Sequence, residues 1–142
     1  MTLDVLIAKA MDKNKKEIEE RRIRELINNK RKQVSKLIEI YFNNNSSKFK
    51  ELKIAFPSFN AQLGESLIVF EGYAKSKALF IAEVLDDKII LSFEIHKTNY
   101  HYMEDEITQE DVAMLPFNAT SDEINIEINN TVVKTLNSYL EL

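Results

Sequence analysis

There is no cysteine in this chain of 142 residues, and glycine and proline occur only twice each. Without thiols there is no disulfide framework, thiolate zinc site, iron–sulfur cluster or cysteine nucleophile, and the composition suits a reducing compartment. The two glycines, Gly64 and Gly72, cannot supply the spacing of a GxGxxG or GxxxxGK[ST] phosphate loop, nor of a GxSxG nucleophile elbow. Most nucleotide-dependent enzymes are thereby disfavoured. Long apolar runs are missing as well: the longest early one, Val5 to Ala8, follows Asp4 and is too short for a signal sequence or a membrane span. A cytoplasmic chain that enters no membrane is the expectation.

What is abundant is isoleucine, asparagine and lysine, 44 of the 142 residues. Their codons are AT-rich, which points to an AT-rich bacterium or its phage as the source. A chain of this length builds one domain, since two cores would each have only about 70 residues. Folding buries about two thirds of the surface of the unfolded chain, enough for a core without staples. At 44% hydrophobic and 30% charged residues the composition is that of a globular protein. The net charge of −4 conceals a division. Residues 1–60 carry 14 Lys and Arg against 8 acids, and residues 61–142 carry 5 against 15. Either the basic part meets an anionic partner, or it packs on an acidic part of its own or a neighbouring subunit.

Residues 13–43 contain neither Gly nor Pro and are rich in Lys, Glu, Arg, Leu and Ile, which predicts a long helix capped at Asp12 or Asn14. Its apolar seam reads Ile23, Ile27, Lys30, Val34, Leu37, Tyr41, a 4-3-4-3-4 spacing interrupted by one lysine. Thirty helical residues run about 45 Å, whereas a seven-residue strand spans about 23 Å, so a sheet from this chain cannot cover the whole rod. Cover comes either from a second subunit or from helical turns built by Leu3, Val5, Leu6, Ile7, Ala10 and Met11, with a break near Asp12 to Asn14. The seam residues Ile23, Ile27, Val34, Leu37 and Tyr41 are therefore the expected oligomer interface.

The asparagines and serines at 43–47 read as a loop, with Ser46 or Ser47 capping a short helix that holds Phe49 and Leu52 and stops before Pro57. From residue 66 the apolar period becomes two, and strands are drawn over 66–73, 78–85 and 89–98. With Asp86 and Asp87 as a two-residue turn, Val84 opposes Ile89, Ala82 opposes Leu91, Phe80 opposes Phe93 and Ala78 opposes Ile95, with nothing polar on that face. A slip by one would bring Glu83 and Glu94 onto it. Thr108-Gln-Glu-Asp111 is read as opening a short helix ended by Pro116. The alternation of Ile124, Ile126 and Ile128 suggests a fourth strand, and Asn129 or Asn130 caps a last helix through Val132, Val133, Leu136, Tyr139 and Leu140.

Few residues invite chemistry. His96 and His101 lie on opposite sides of a continued strand, so with Glu104, Asp105 and Glu106 they form a metal site only across a bulge; no metal or cofactor is expected. Glu94 and His96 share a face and could act as an acid–base pair, with Lys77 opposite His96, although an ordinary polar strand face explains the same residues. Ser47-Lys-Phe-Lys50 matches SxxK but lacks its companion motifs. No catalytic residue is assigned. The face that mixes Leu79, Ile81, Glu83, Ile90, Ser92, Glu94 and His96 is the candidate partner-binding surface. On the long helix, Arg21, Arg24, Arg31 and Lys32, with Asn28 and Ser35, form a strip suited to phosphates, diluted by Glu17 and Glu25.

The expectation is an α+β domain over residues 1–142, with a basic helical arm over 1–45 and an acidic body over 46–142. The body is an antiparallel meander of three to four strands, a short helix after the third strand and a C-terminal helix. The function expected is that of a noncatalytic protein-binding module, such as an assembly chaperone, inhibitor or immunity-type factor, acting as a homo-oligomer. The alternative is a nucleic-acid-binding regulator that uses the basic strip.

Overall fold

The computed structural model describes residues 2–72, 76–99 and 104–141. The chain is α+β, with a long N-terminal helix, an antiparallel sheet and a C-terminal helix. Helix α1 runs without interruption over Leu3–Asn44, about 63 Å at 1.5 Å per residue. The expected break at Asp12 to Asn14 is absent, as is a cap there; Thr2 is the cap, its Oγ1 accepting from the Val5 N–H at 3.3 Å. Continuity follows from the lack of Gly and Pro and from local ion pairs, Lys16 with Asp12 at 3.6 Å and Arg22 with Glu19. The Arg22 guanidinium hydrogen-bonds the Glu19 carboxylate and holds it below the usual carboxylate range.

The asparagine-rich stretch is not a loop. Only Asn45 leaves the helical conformation, its backbone N–H and side-chain amide both donating to the Tyr41 carbonyl at 3.1 and 2.8 Å. Helix α2, Ser46–Ala55, starts directly after it, so Ser46 and Ser47 are helical residues rather than caps. Phe56 ends the helix next to Pro57.

Five antiparallel strands follow in sequence order: β1 Asn60–Gly64, β2 Leu67–Glu71, β3 Lys77–Val84, β4 Lys88–Asn99 and β5 Glu104–Pro116. The β3–β4 pairing is the one its hydrophobic pattern demands: Val84 with Ile89, Ala82 with Leu91, Phe80 with Phe93, Ala78 with Ile95. Leu85 and Lys88 close the turn, Leu85 N–H to Lys88 carbonyl at 2.8 Å. The register of β2, which its two apolar parities leave open, puts Ile68 against Phe80 and Phe70 against Ala78. Ser66, at φ 56°, makes the tight link from β1 to β2, and its carbonyl accepts from the Ala82 N–H at 2.9 Å.

Two expectations in the C-terminal third are overturned. The segment read as a short helix from Thr108 is β5, paired along β4 with a bulge opposite Leu91/Ser92. Ladder bonds to an already ordered neighbour outweigh a weak intrinsic preference for strand. The segment read as a strand through Ile124, Ile126 and Ile128 belongs to helix α3, Ser121–Leu140. Its buried residues are Ile124, Ile128, Thr131, Val132 and Thr135, a helical spacing, whereas Ile126 is exposed. Thr120 caps it, Oγ1 accepting from the Glu123 N–H at 3.3 Å, in a Thr-x-x-Glu box.

The core lies between one sheet face and the helices. Val34 and Ile38 of α1, Phe49 of α2 and Ile124, Ile128 and Val132 of α3 are buried with Ile68, Phe70, Phe80, Ile89 and Leu91 of the sheet. Phe42, Phe49, Phe70 and Phe59 form a chain of aromatic contacts with centroids 5.5 to 5.9 Å apart. Polar ties lock the helices: Tyr41 Oη donates to Asn129 Oδ1 at 3.0 Å, and Tyr139 Oη to the Glu71 carbonyl at 3.1 Å. That phenol stands where a Gly72 side chain would be, so that an added Cβ would collide with it.

Lys30, the lone polar position of the seam, donates to the Ala119 carbonyl at 2.9 Å and lies 5.9 Å from the Phe117 ring centroid. The lysine thus ties α1 to the start of α3. Lys30→Leu, which completes an apolar heptad seam, is therefore expected to lower stability by about 1 kcal/mol in urea unfolding, because it orphans a buried carbonyl. Were the seam an interface between copies, the same change would raise the melting temperature.

Candidate functional site

Three groups of residues stand out as places where this molecule can meet another. The first is the end of the sheet around His96. There Nε2 of His96 lies 3.0 Å from Oε2 of Glu94, with the side chains 20% and 26% exposed, and Lys77 faces His96 across the ladder. Thr98 Oγ1 donates to Asp105 Oδ1 at 3.1 Å. An open cleft of about 400 Å³ is lined by Glu71, Gly72, Ser76, Lys77 and His96. An imidazole held by a carboxylate can carry a proton. Among the described residues no cluster of three His, Asp or Glu side chains is arranged to hold a metal ion. His101 lies outside the described residues, so its relation to His96 is not part of the site.

The second group is the outer face of the sheet. Its predicted members come together as adjoining pairs: Leu79 with Glu94, Ile81 with Ser92, and Glu83 with Ile90. Two strands extend the face beyond the predicted set. Leu67 and Val69 of β2 oppose Ile81 and Leu79, and Met114 of β5 opposes Ile90. Periodicity does not reveal these additions, because β2 is apolar on both parities and the Thr108–Pro116 pattern resembles a helix. Leu67, Val69, Leu79, Ile81 and Ile90 are half-buried by one another and stand outside the core cluster. Only the opposite face is packed under the helices.

The third group is α1 itself. Of the expected oligomer seam, Val34 is fully buried within its own chain, and Ile27, Leu37 and Tyr41 pack against the same core. Burial pushes the Tyr41 phenol up from its ordinary value. Only Ile23, 39% exposed, lies beyond the body. The seam is thus an intramolecular surface, which corrects its assignment to an interface between copies. The turns built by Leu3, Leu6, Ile7 and Met11 do not fold back to cover the rod. They continue it, and every residue from Thr2 to Leu26 is exposed.

At 100° per residue, Leu3, Ile7, Ala10, Met11 and Ile18 of this projecting half point roughly 110–170° away from the stripe formed by Ile27, Val34, Ile38 and Tyr41, whereas Val5 and Ile23 continue that stripe and Leu6 and Leu26 lie on its flanks. One helix therefore carries two apolar faces, the body taking one and leaving the other bare. The basic strip adjoins the bare face. Arg21, Arg24, Arg31 and Lys32 are all exposed, and a groove of about 430 Å³ beside Asn28, Arg31, Lys32 and Ser35 reaches Glu65 in the β1–β2 turn.

Charge follows the same division. Among the described residues every ion pair joins groups no more than four positions apart: Lys16–Asp12, Arg22–Glu19, Lys36–Glu39 and His96–Glu94. The basic and acidic parts of the chain do not neutralise each other there. Residues 27–60 hold 7 Lys and Arg against 2 acids, so the excess positive charge sits at the body end of α1 and on α2. The acids Asp105, Glu106, Glu110 and Asp111 are exposed along the edge strand β5, where charge discourages pairing with another strand.

Comparison of the chain with protein-family models, with curated proteins and with solved structures gives no match. Among the described residues no helix is long and apolar enough to cross a membrane.

The two sheet faces differ in what substitution costs. Phe80→Ala in the core is expected to destabilise by about 3–5 kcal/mol, whereas Ile81→Thr on the open face costs about 1 kcal/mol or less. Urea midpoints of the two variants check this, and similar losses would mean that the outer face is covered.

Proposed function

We propose that this chain is a noncatalytic protein-binding module, of the kind that serves as an assembly chaperone, inhibitor or immunity-type factor. It works in a complex whose contact is the projecting half of α1, with the open sheet face as a second surface. The observation that carries this reading is the bareness of the arm: Leu3, Ile7, Met11 and Ile18 are 72%, 50%, 61% and 55% exposed. Contiguous apolar surface on a soluble domain marks a contact site, and a helix with no packed face is only marginally stable in water. Either a second copy or an unlike chain supplies the missing cover.

A nucleic-acid-binding regulator is the second reading, supported by the exposure of Arg21, Arg24, Arg31 and Lys32 and by the absence of ion pairs to them among the described residues. Phosphate contacts release counterions, so binding of DNA or RNA through this strip must weaken steeply as salt is raised. A flat salt response removes that reading.

A photo-crosslinking residue at Met11, compared with one at Glu127 on α3, separates the two in cells that make the protein. The module reading requires protein adducts from Met11 that disappear with Ile7→Lys, while the unfolding free energy stays within about 0.5 kcal/mol of the parent. Adducts to nucleic acid alone, or none from the arm, count against it.

A further inference from the structure

One flank of α1, on average roughly 110° round from the stripe packed on the body, forms a single heptad line. Leu3, Ile7 and Ala10 begin it, followed by Asn14 and Glu17; from Arg21 the same 4-3 spacing continues through Arg24, Asn28 and Arg31. Leu6, Met11 and Ile18 broaden the first part, and Lys32 the second. The line is therefore apolar for about one heptad, polar at Asn14 and Glu17, and cationic for the next two heptads, with Glu25 beside it at the heptad position that Met11, Ile18 and Lys32 share. Its cationic end opens into the groove beside Asn28 and Ser35.

A second copy is a poor occupant. Paired in parallel and in register, Arg21, Arg24 and Arg31 each meet their own counterparts, and like charges across a helix pair repel. Paired antiparallel so that Leu3, Ile7, Ala10 and Asn14 meet one another, the helices overlap only over residues 3–14, about 18 Å, short of the three or more heptads a coiled coil needs. A membrane surface fits no better. Interfacial helices carry their apolar face and their cations side by side along the same length, whereas here one follows the other along the axis.

We infer that the bare face of α1 docks an amphipathic helix of an unlike protein, apolar where it meets Leu3, Ile7 and Ala10 and carboxylate-rich where it meets Arg21, Arg24, Arg31 and Lys32. The inference rests on the protein-binding reading above and narrows its partner to an acidic helix. It also gives Arg31 and Lys32, which make no ion pair among the described residues, a counterpart that the chain's own acids do not supply.

The test uses the full chain and labelled four-heptad peptides. One half of each peptide has Leu and Ile in the facing positions, and the other half has Glu there, in either order of the halves. Control peptides have Lys in place of Glu. By fluorescence anisotropy at low salt, a Glu peptide is expected to bind at least about tenfold more tightly than its Lys control, as four modest ion pairs imply. The gap should narrow with added salt and reverse for the R21E/R24E/R31E variant, and Ile7→Lys should weaken both peptides. Equal binding of Glu and Lys peptides, or binding of neither, overturns the inference. So does displacement of the peptides by duplex DNA or anionic vesicles at lower concentration. Light scattering separates the remaining case: a chain that is dimeric alone, and monomeric with Ile7→Lys and Met11→Lys, keeps the protein-binding reading but removes the acidic-helix partner.

Discussion

A helix of 42 residues is laid across a sheet that can support only its C-terminal part, and the rest of the molecule follows from that mismatch. Packing begins at Ile27 and is complete at Val34 and Ile38, where α1 lies against the sheet and α3. Up to Leu26 the helix has solvent on all sides. Continuity through the junction is possible because nothing in the sequence interrupts the backbone ladder: no glycine or proline, and Glu, Lys and Arg at most surface positions. The arm is thus an extension of a core helix, held in direction by the turns that are packed.

That junction is held by polar groups as well as apolar ones. Lys30 reaches the Ala119 carbonyl just before α3 begins, and Tyr41 meets Asn129 in the middle of α3. Their side chains project from the same side of α1 as Val34 and Ile38 and fix its rotation about its own axis. Once that rotation is set, the opposite face of the arm is set too, because a straight helix cannot turn one stripe without turning the other. The orientation of Leu3, Ile7 and Ala10 relative to the body is therefore a consequence of core packing about 30 Å or more away along the axis, by the rise of about 1.5 Å per residue.

Electrostatics repeats this separation. Ion pairs among the described residues are short-range, so the positive charge near the middle of the chain and the acids of β5 remain displayed on different surfaces. Charge arranged in this way steers and selects partners more than it adds stability. The edge strand β5 is protected from strand addition by its carboxylates, while the arm offers cations in line with an apolar surface.

Local chemistry alone determined the long helix, the β3–β4 register and the absence of loops for phosphate binding. Each rests on neighbours a few residues apart: unbroken helix formers, a hairpin whose one-residue slip would bring Glu83 and Glu94 onto the core face, and two glycines at unhelpful spacing. The open sheet face was legible to the extent that alternation along β3 and β4 places Leu79, Ile81, Ile90 and Glu94 together. Its extension by Leu67, Val69 and Met114 was not, since it depends on which strand lies beside which. The same dependence made β5 look helical and the first turn of α3 look extended: three isoleucines at every second position fit a strand until Ile124 and Ile128, with Val132, find a core and Ile126 is left in solvent. Only the tertiary structure decided that Val34, Leu37 and Tyr41 serve the chain's own core while Leu3, Ile7 and Met11 remain bare, because an apolar stripe carries its periodicity in the sequence but receives its partner only in space.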